Sequence, residues 1–295
     1  MVKILSIGEV MLELSDVGGG LYRKSYAGDT FNVAHYLNVV SHGRIQAEYL
    51  TAIGVDAQSD ACLEFLKDKG VLTSRCLRDP TRTLGLFILS NDDHGEKQYA
   101  YWRGQSAARA IFDQIQDLSS YDLIYFSGIT AAITEHKDNL ITSIQNARKQ
   151  GAKTVYDFNY RQLLWSTLAA RNFAGRVLPH TNIIKISGEE LENLYPGEKI
   201  GGLSNMYPHA EWVLTCGGEK AEVWCKGDLV AQQVFRPIEK IIDSSAAGDA
   251  FIATYIAAKL DGINPVSALV RAHTVASQVV CAKGSIVAID MTELD

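Results

Sequence analysis

The 295-residue sequence predicts an α/β fold. A mainly parallel central sheet is covered by helices on both faces, and a small β-sheet stands apart. Three observations predict this. From about residue 121 onward, short apolar strands alternate with helical segments, the rhythm of a parallel sheet buried on both faces. Polar clusters stand at the carboxyl ends of those strands, where open α/β sheets bind ligands. These are Ser127 with Gly128; Asp157, Asn159 and Arg161; Lys185 with Ser187; Thr215 with Gly217; and Ser245 with Asp249. Two excursions, at 11–27 and 79–105, break the rhythm with hairpin-like patterns. The expected division is a core of 1–10, 28–78 and 106–295, with a small sheet from 11–27 and 79–105.

In order, residues 3–8 read as a buried strand ending at Gly8 and Glu9. Residues 10–14 partly alternate, Gly18, Gly19 and Gly20 turn the chain, and 21–27 return with Tyr22 and Tyr26, a hairpin pattern. Neither Lys-Ser/Thr nor a helix follows the three glycines, so they read as a turn rather than a phosphate loop. A helix is expected over 32–40, with Asp29 or Thr30 as its cap. A strand at 48–53 and an amphipathic helix at 59–69 follow. Strands at 84–90 and 98–103 flank a polar turn at 91–95. Beyond residue 121, strands are expected at 123–126, 154–156, 183–186 and 212–214, and helices at 135–150, 189–194 and 272–283. Ile241 and Ile242 are read as the end of a short strand. No G-x-G-x-x-G follows the first strand, which argues against a dinucleotide dehydrogenase.

Hydrophobic residues make up 47% of the chain and charged residues 21%, an ordinary globular profile. A net charge of −6 argues against nucleic acid or an anionic membrane as the main partner, yet a local arginine cluster can still hold a small anion. No run approaches the ~18 apolar residues of a membrane span. The first eight residues are too short for a secretion signal and lack a small-residue cleavage site. The five cysteines form no C-x-x-C pair, so reduced thiols in the cytoplasm are expected. His94, His136, His180 and His209 lie in loop-like or helix-surface contexts and receive no catalytic role.

The chemistry is placed at residues 243–251. Tiny residues there let another group approach the backbone, and a helix follows in which Phe251, Ile252, Tyr255, Ile256 and Leu260 recur at helical spacing. Free N–H groups at Ala246, Ala247 and Gly248, with the positive end of the helix dipole, make an anion site. Asp249 lies beside it in the first turn. That arrangement suits phosphoryl transfer, with the amides stabilising charge while Asp249 accepts a proton from the attacking hydroxyl. The alternative is a plain helix N-cap.

Asp243-Ser244-Ser245-Ala246-Ala247-Gly248-Asp249-Ala250-Phe251 resembles the signature Asp-Thr-Thr-Gly-Ala-Gly-Asp-x-Phe of the ribokinase-like (PfkB) sugar kinases. Ser245 replaces a Thr, and Ala246 replaces the first Gly, although Ala does not freely take positive φ. Residues 27–34 are similar to the family motif Gly-Gly-x-x-x-Asn-x-Ala, with Ala27 in place of the first Gly. Tyr101-Trp102-Arg103, Ser106-Ala107-Ala108-Arg109, Ser127-Gly128-Ile129-Thr130, Asp157-Phe158-Asn159-Tyr160-Arg161 with Leu164-Trp165, and Ala246-Ala247-Gly248-Asp249 together look like the 2-keto-3-deoxygluconate kinase branch. The resemblance covers nearly the whole chain.

It implies a ribokinase-like three-layer α/β/α core with the small sheet as a lid over the sugar. It implies that Ala246, Ala247 and Gly248 form the anion hole and that Asp249 is the catalytic base. Gly28, Asp29, Asn32, Phe87, Tyr101, Arg103, Arg161 and Asp249 would bind substrate, with Arg161 at its carboxylate. Phe87 stands where a Tyr is expected in relatives, removing one hydroxyl contact. Asn159, Lys185, Ser187, Thr215, Gly217, Gly248 and Ala276 would bind ATP. Glu190 would arrange Mg2+ through water, where the family often shows Asn-x-x-Glu and this chain has Ser187-Gly188-Glu189-Glu190. Potassium is a further candidate. The implied reaction is ATP-dependent phosphorylation of 2-dehydro-3-deoxy-D-gluconate at its 6-hydroxyl.

The residues themselves leave alternatives open. Tyr101 and Arg103 project from one face of a strand, and a guanidinium beside a phenol suits a carboxylate; a surface acid could equally hold Arg103. Arg161 could pair only with Asp157. Lys185 sits on an apolar strand, where a lysine needs a partner, and phosphate is one. Glu190 could simply complement a helix dipole. A fructokinase- or ribokinase-type neutral-sugar kinase, or a non-catalytic sugar-binding regulator, are the competing functions. Tyr22, Tyr26, Phe87, Tyr99 and Tyr101 are too many aromatics for a solvated hairpin, which points to a homo-oligomer through these strands.

Overall fold

The first strand, β1 (Val2–Ile7), lies inside the large sheet, parallel to β4 (Ile45–Ile53) on one side and β8 (Leu123–Ser127) on the other. The computed structural model describes residues 1–91 and 97–294. Beyond β4 the sheet ends in β5 (Cys76–Arg78). Beyond β8 it continues through β9 (Lys153–Asp157), β10 (Ile183–Ser187) and β11 (Glu211–Cys216), all parallel, and closes with antiparallel β12 (Lys220–Cys225) and β13 (Asp228–Val234). The order among the described residues is β13-β12-β11-β10-β9-β8-β1-β4-β5. From β1 the chain first builds outward to β4 and β5, then returns to build β8 to β11 on the other side. That reversal opens a crevice at the carboxyl ends of β1 and β8.

Alternating side chains feed two cores. Leu123 and Tyr125 face one, and Ile124 and Phe126 face the other, as pleating requires. The first core is covered by α1 (Asp29–Val40), α2 (Ala57–Asp68), α8 (Ala247–Leu260) and α9 (Pro265–Val280). The second is covered by α3 (Gly128–Ile133), α4 (Lys137–Lys149), α5 (Thr167–Val177), α6 (Gly188–Leu194) and α7 (Ile200–Met206). The expected three layers are present. Helix α8 is apolar all round and buried from Ala250 to Ala258, as such a helix must be. It packs between α1 and α9.

The small sheet has the order β3-β2-β6-β7, from β2 (Met11–Asp16), β3 (Tyr22–Ala27), β6 (Gly85–Asn91) and β7 (Lys97–Trp102). Both excursions supply it, joined by a parallel β2–β6 pairing. The three glycines turn β2 into β3 at positive φ. The turn expected at 91–95 falls largely outside the described residues, as does His94.

Several local expectations change. Asp29 and Thr30 are not caps, because Gly28 is the N-cap of α1 and no side chain caps it. Ile241 and Ile242 form no strand; both are exposed, and the N–H of Ile242 donates to the Val280 carbonyl. The last helix starts earlier, at Pro265, capped by Asn264. Tyr26 is covered by the chain's own α2, with its ring 5.2 Å from Phe65 and its hydroxyl donating to the Gln58 carbonyl.

Candidate active site

The parallel register brings polar residues into one row at the strand ends. Ser127 pairs with Asp157, and Asp157 pairs with Lys185, across β8, β9 and β10. Lys185 Nζ donates to both Asp157 oxygens, at 2.9 and 3.1 Å. Burial would strip the lysine of its proton, but Asp157, Glu190 and Asp249 outweigh burial and keep it cationic. Burial pushes Asp157 up while Lys185 pulls it down; the two short contacts mark Asp157 as the carboxylate partner of this cation. Asp29, in the first turn of α1, accepts from Ser127 Oγ at 2.5 Å and from Asn159 Nδ2 at 2.8 Å. Asn159 is held at φ +33°, and its N–H donates to Asp157 Oδ1.

Asp249 faces this row from the start of α8. The N-cap is Ala246, at φ +60° and ψ 7°, so the alanine does take the left-handed conformation, at a cost of roughly 1–2 kcal/mol. Asp249 is therefore inside the helix rather than its cap. Among the described residues, the N–H groups of Gly248 and Asp249 find no acceptor within the protein. A Cβ at Gly248 would lie 3.6 Å from Lys185 Nζ, so the lysine stands against this helix start. Asn32 Nδ2 donates to Asp249 Oδ2 at 2.8 Å. Burial, then the charges of Asp29 and Asp157, push the Asp249 carboxyl up to about 7, against the pull of Asn32 and Lys185. A carboxylate half ionised near neutrality, beside free amides and an ammonium, can take a proton while an anion is held next to it.

On the sugar side, one of the two arginines is engaged within the protein and the other is not. Arg103 pairs with Glu9, which is buried rather than a surface acid. Its guanidinium lies 5.8 Å from the Tyr101 ring centroid. Arg161 does not pair with Asp157; it is exposed, and its side chain forms no hydrogen bond or ion pair among the described residues, while its carbonyl accepts the Leu164 N–H at 2.9 Å. Its charge is felt at Tyr101, whose hydroxyl is raised by burial and pulled back by Arg103 and Arg161. Phe87 is buried opposite Tyr101, with ring centroids 5.8 Å apart. Gly28 is sterically required, because a Cβ there would sit 2.1 Å from the Glu9 carbonyl oxygen.

On the side assigned to nucleotide, Ser187 and Glu190 form a capping box on α6. Glu190 Oε2 accepts the Ser187 N–H at 2.8 Å, and Oε1 accepts the Tyr160 N–H at 2.7 Å. The plain helix-start reading of Glu190 thus holds, with the carboxylate fixed in orientation. Thr215 lies in the last turn of the pleat of β11, Gly217 leads toward β12 at φ +56°, and Ala276 is half-buried on α9. No hydrogen bond joins these three to the acidic row among the described residues.

Sequence reasoning missed Glu9 as a site residue, although it directly follows a strand end. It also missed Lys97, and it gave Asp243, although inside the stretch 243–251, no role of its own. Lys97 Nζ pairs with Asp243 and donates to Ser245 Oγ at 3.0 Å. No local signal marks Lys97, because its partner lies 146 residues away.

Residues 1–291 match the pfkB family carbohydrate kinase model, and the chain belongs to that family. It is a carbohydrate kinase. It is 31% identical to a 2-dehydro-3-deoxygluconokinase of Escherichia coli over 300 residues, covering 97% of each chain. Its fold is similar to that of 2-dehydro-3-deoxygluconokinase from Thermotoga maritima, with TM-score 0.86 and 20% identity over 100% of this chain and 98% of that one. It is likewise similar to the structure of fructokinase with bound ATP from Xylella fastidiosa, with TM-score 0.80 and 20% identity over 96% and 93% of the two chains.

Proposed function

We propose that this kinase transfers the γ-phosphoryl group of ATP to the 6-hydroxyl of 2-dehydro-3-deoxy-D-gluconate, releasing ADP and the 6-phosphate. The observation that carries the reading is the pairing of Asp249, raised to about 7, with the unclaimed N–H groups of Gly248 and Asp249 itself. The hydroxyl oxygen attacks phosphorus as its proton passes to Asp249, and the bond to the ADP oxygen breaks. The amides of Gly248 and Asp249, with the Lys185 ammonium, hold the transferring charge, whereas the Ala247 N–H already donates to the Ser244 carbonyl at 3.4 Å. Asp29 and Asn32 orient the sugar hydroxyls, and Asp29 in turn is fixed by Ser127 and Asn159.

Mg2+ binds mainly through phosphate and water rather than through a protein cage. The residues fit that mode. Both Glu190 oxygens keep a lone pair beyond their backbone contacts, so Glu190 would hold the ion through water. The ion, when bound, neutralises charge on the β- and γ-phosphates.

The unpaired Arg161 supports a carboxylate on the sugar. One observation favours the neutral-sugar alternative: Arg103, the second expected carboxylate ligand, is already engaged by Glu9. A coupled ADP-release assay across keto-deoxy sugar acids, fructose and ribose decides. The reading expects turnover on the keto-deoxy acid to exceed that on both neutral sugars; preference for fructose or ribose refutes it.

A further inference from the structure

Residues 97, 99, 101 and 103 of the small sheet project from one face of β7 and its extension. That face carries a cation at each end with two tyrosine rings between them, stacked at 6.1 Å. Arg103 ties one end to Glu9 beside the sugar site. Lys97 ties the other end across the cleft to the loop before α8. That loop forms the anion hole. Asp243 organises it: Oδ1 accepts the Ser245 N–H at 2.9 Å, and Oδ2 accepts the Gly284 N–H at 3.1 Å. Ser245 directly precedes Ala246, the residue held at φ +60°. Lys97 thus bonds both side chains that shape this left-handed step, and it does so from the other sheet.

We propose that Lys97 is a positioning residue for phosphoryl transfer: by bonding Asp243 and Ser245 from the small sheet, it completes the anion-hole loop only while that sheet lies over the cleft. The inference rests on the phosphoryl-transfer reading above. It accounts for three facts together. A lysine reaches across from the small sheet; Asp243 is ionised, since the bonds from Lys97, Ser245 and Gly284 overcome burial and hold it at about 2; and a strained alanine is kept where free amides are needed. When the sheet lifts, the loop loses two bonds. Transfer to water without sugar is then disfavoured, because an open site also has an imperfect hole.

The test compares Lys97→Met with Lys97→Arg in the full chain. The expected result is a 10–100-fold fall in kcat for Lys97→Met, with KM for ATP within threefold of wild type. Lys97→Arg, which keeps the charge, should recover kcat to within about threefold. A purely structural role would lower thermal stability without this split or this rescue. A Lys97→Met kcat within threefold of wild type overturns the proposal, and so does an equal loss in both variants. Hydrogen exchange of the β7 amides in ligand-free protein separates this idea from the function itself. Faster exchange in Lys97→Met supports the cross-cleft contact even if wild type does not phosphorylate the keto-deoxy acid, a result that would sink the proposed sugar-acid reaction alone. Unchanged exchange overturns the contact.

Discussion

Replacing Asp249 with Asn should make the protein more stable and nearly inactive, and the stability gain should depend on pH. The argument starts from the raised carboxyl. Its ordinary value is 3.8 and its value here is about 7, a shift of roughly 3 units or about 4 kcal/mol at 1.36 kcal/mol per unit. Asp249 keeps part of its surface toward the cleft, so solvent moderates the effect and this figure is an upper bound. The sign follows from linkage. A carboxyl with a higher value folded than unfolded favours the fold while protonated, and that contribution is lost as pH rises from about 4 through 7. At pH 8 the wild type therefore carries an ionised carboxylate facing Asp29 and Asp157. The amide of the Asp249→Asn variant removes the charge and keeps the shape and the contact with Asn32.

A gain of about 2–4 kcal/mol corresponds to roughly 3–6 °C in Tm for a chain of this size. Scanning calorimetry at pH 8 and pH 5 should show that gain at pH 8 and less than half of it at pH 5. Loss of the base should lower kcat by about 10²–10⁴, with sugar affinity little changed. The wild-type kcat/KM profile should rise with pH through an apparent value near 7. Equal Tm differences at the two pH values, or turnover within threefold of wild type, would refute the assignment of Asp249 as a destabilised base.

Arg161→Leu should raise KM for the keto acid by about 10–150-fold, the loss of a charge-assisted pair worth ~1.5–3 kcal/mol, and leave Tm unchanged; an equal rise for a neutral sugar would show that Arg161 serves another purpose. Arg103→Leu should instead lower Tm, because it leaves Glu9 buried without its cation, and thermal melts of the two variants compare them directly. Lys185→Met should cost about 3–5 kcal/mol by stranding Asp157, as denaturant titration would show; a loss under 1 kcal/mol argues that Asp157 is not held by this pair. Exchange at described residues of 79–105 should slow when the keto acid binds. Light scattering should give at least twice the 32.4 kDa chain mass if the exposed Tyr22 and Trp102 on the small sheet are covered by a second copy, and a monomer would refute that part.

What could be read from the sequence was set by how far apart the interacting residues lie. Asp249, the free amides and Ala246 belong to one short stretch, so helix periodicity and small residues pointed to it, while the choice between a base and a plain helix cap came from the family resemblance. The strand rhythm was legible for the same reason, yet the β12–β13 hairpin was not. Its turn is Lys226 and Gly227, both at positive φ, and Lys is not the Asn or Asp that usually announces such a turn. Lys185 was recognised as needing a partner, but the sequence could not show that strand register places Asp157 beside it. Arg103 makes the point most sharply. Its spacing from Tyr101 correctly placed both on one face, and face alone suggested a carboxylate ligand. A carboxylate is indeed there, but it belongs to Glu9, 94 residues earlier. The same chemistry that would recognise an acidic sugar is satisfied inside the protein at Arg103, and the proposed carboxylate contact therefore rests on Arg161, whose side chain has no partner among the described residues.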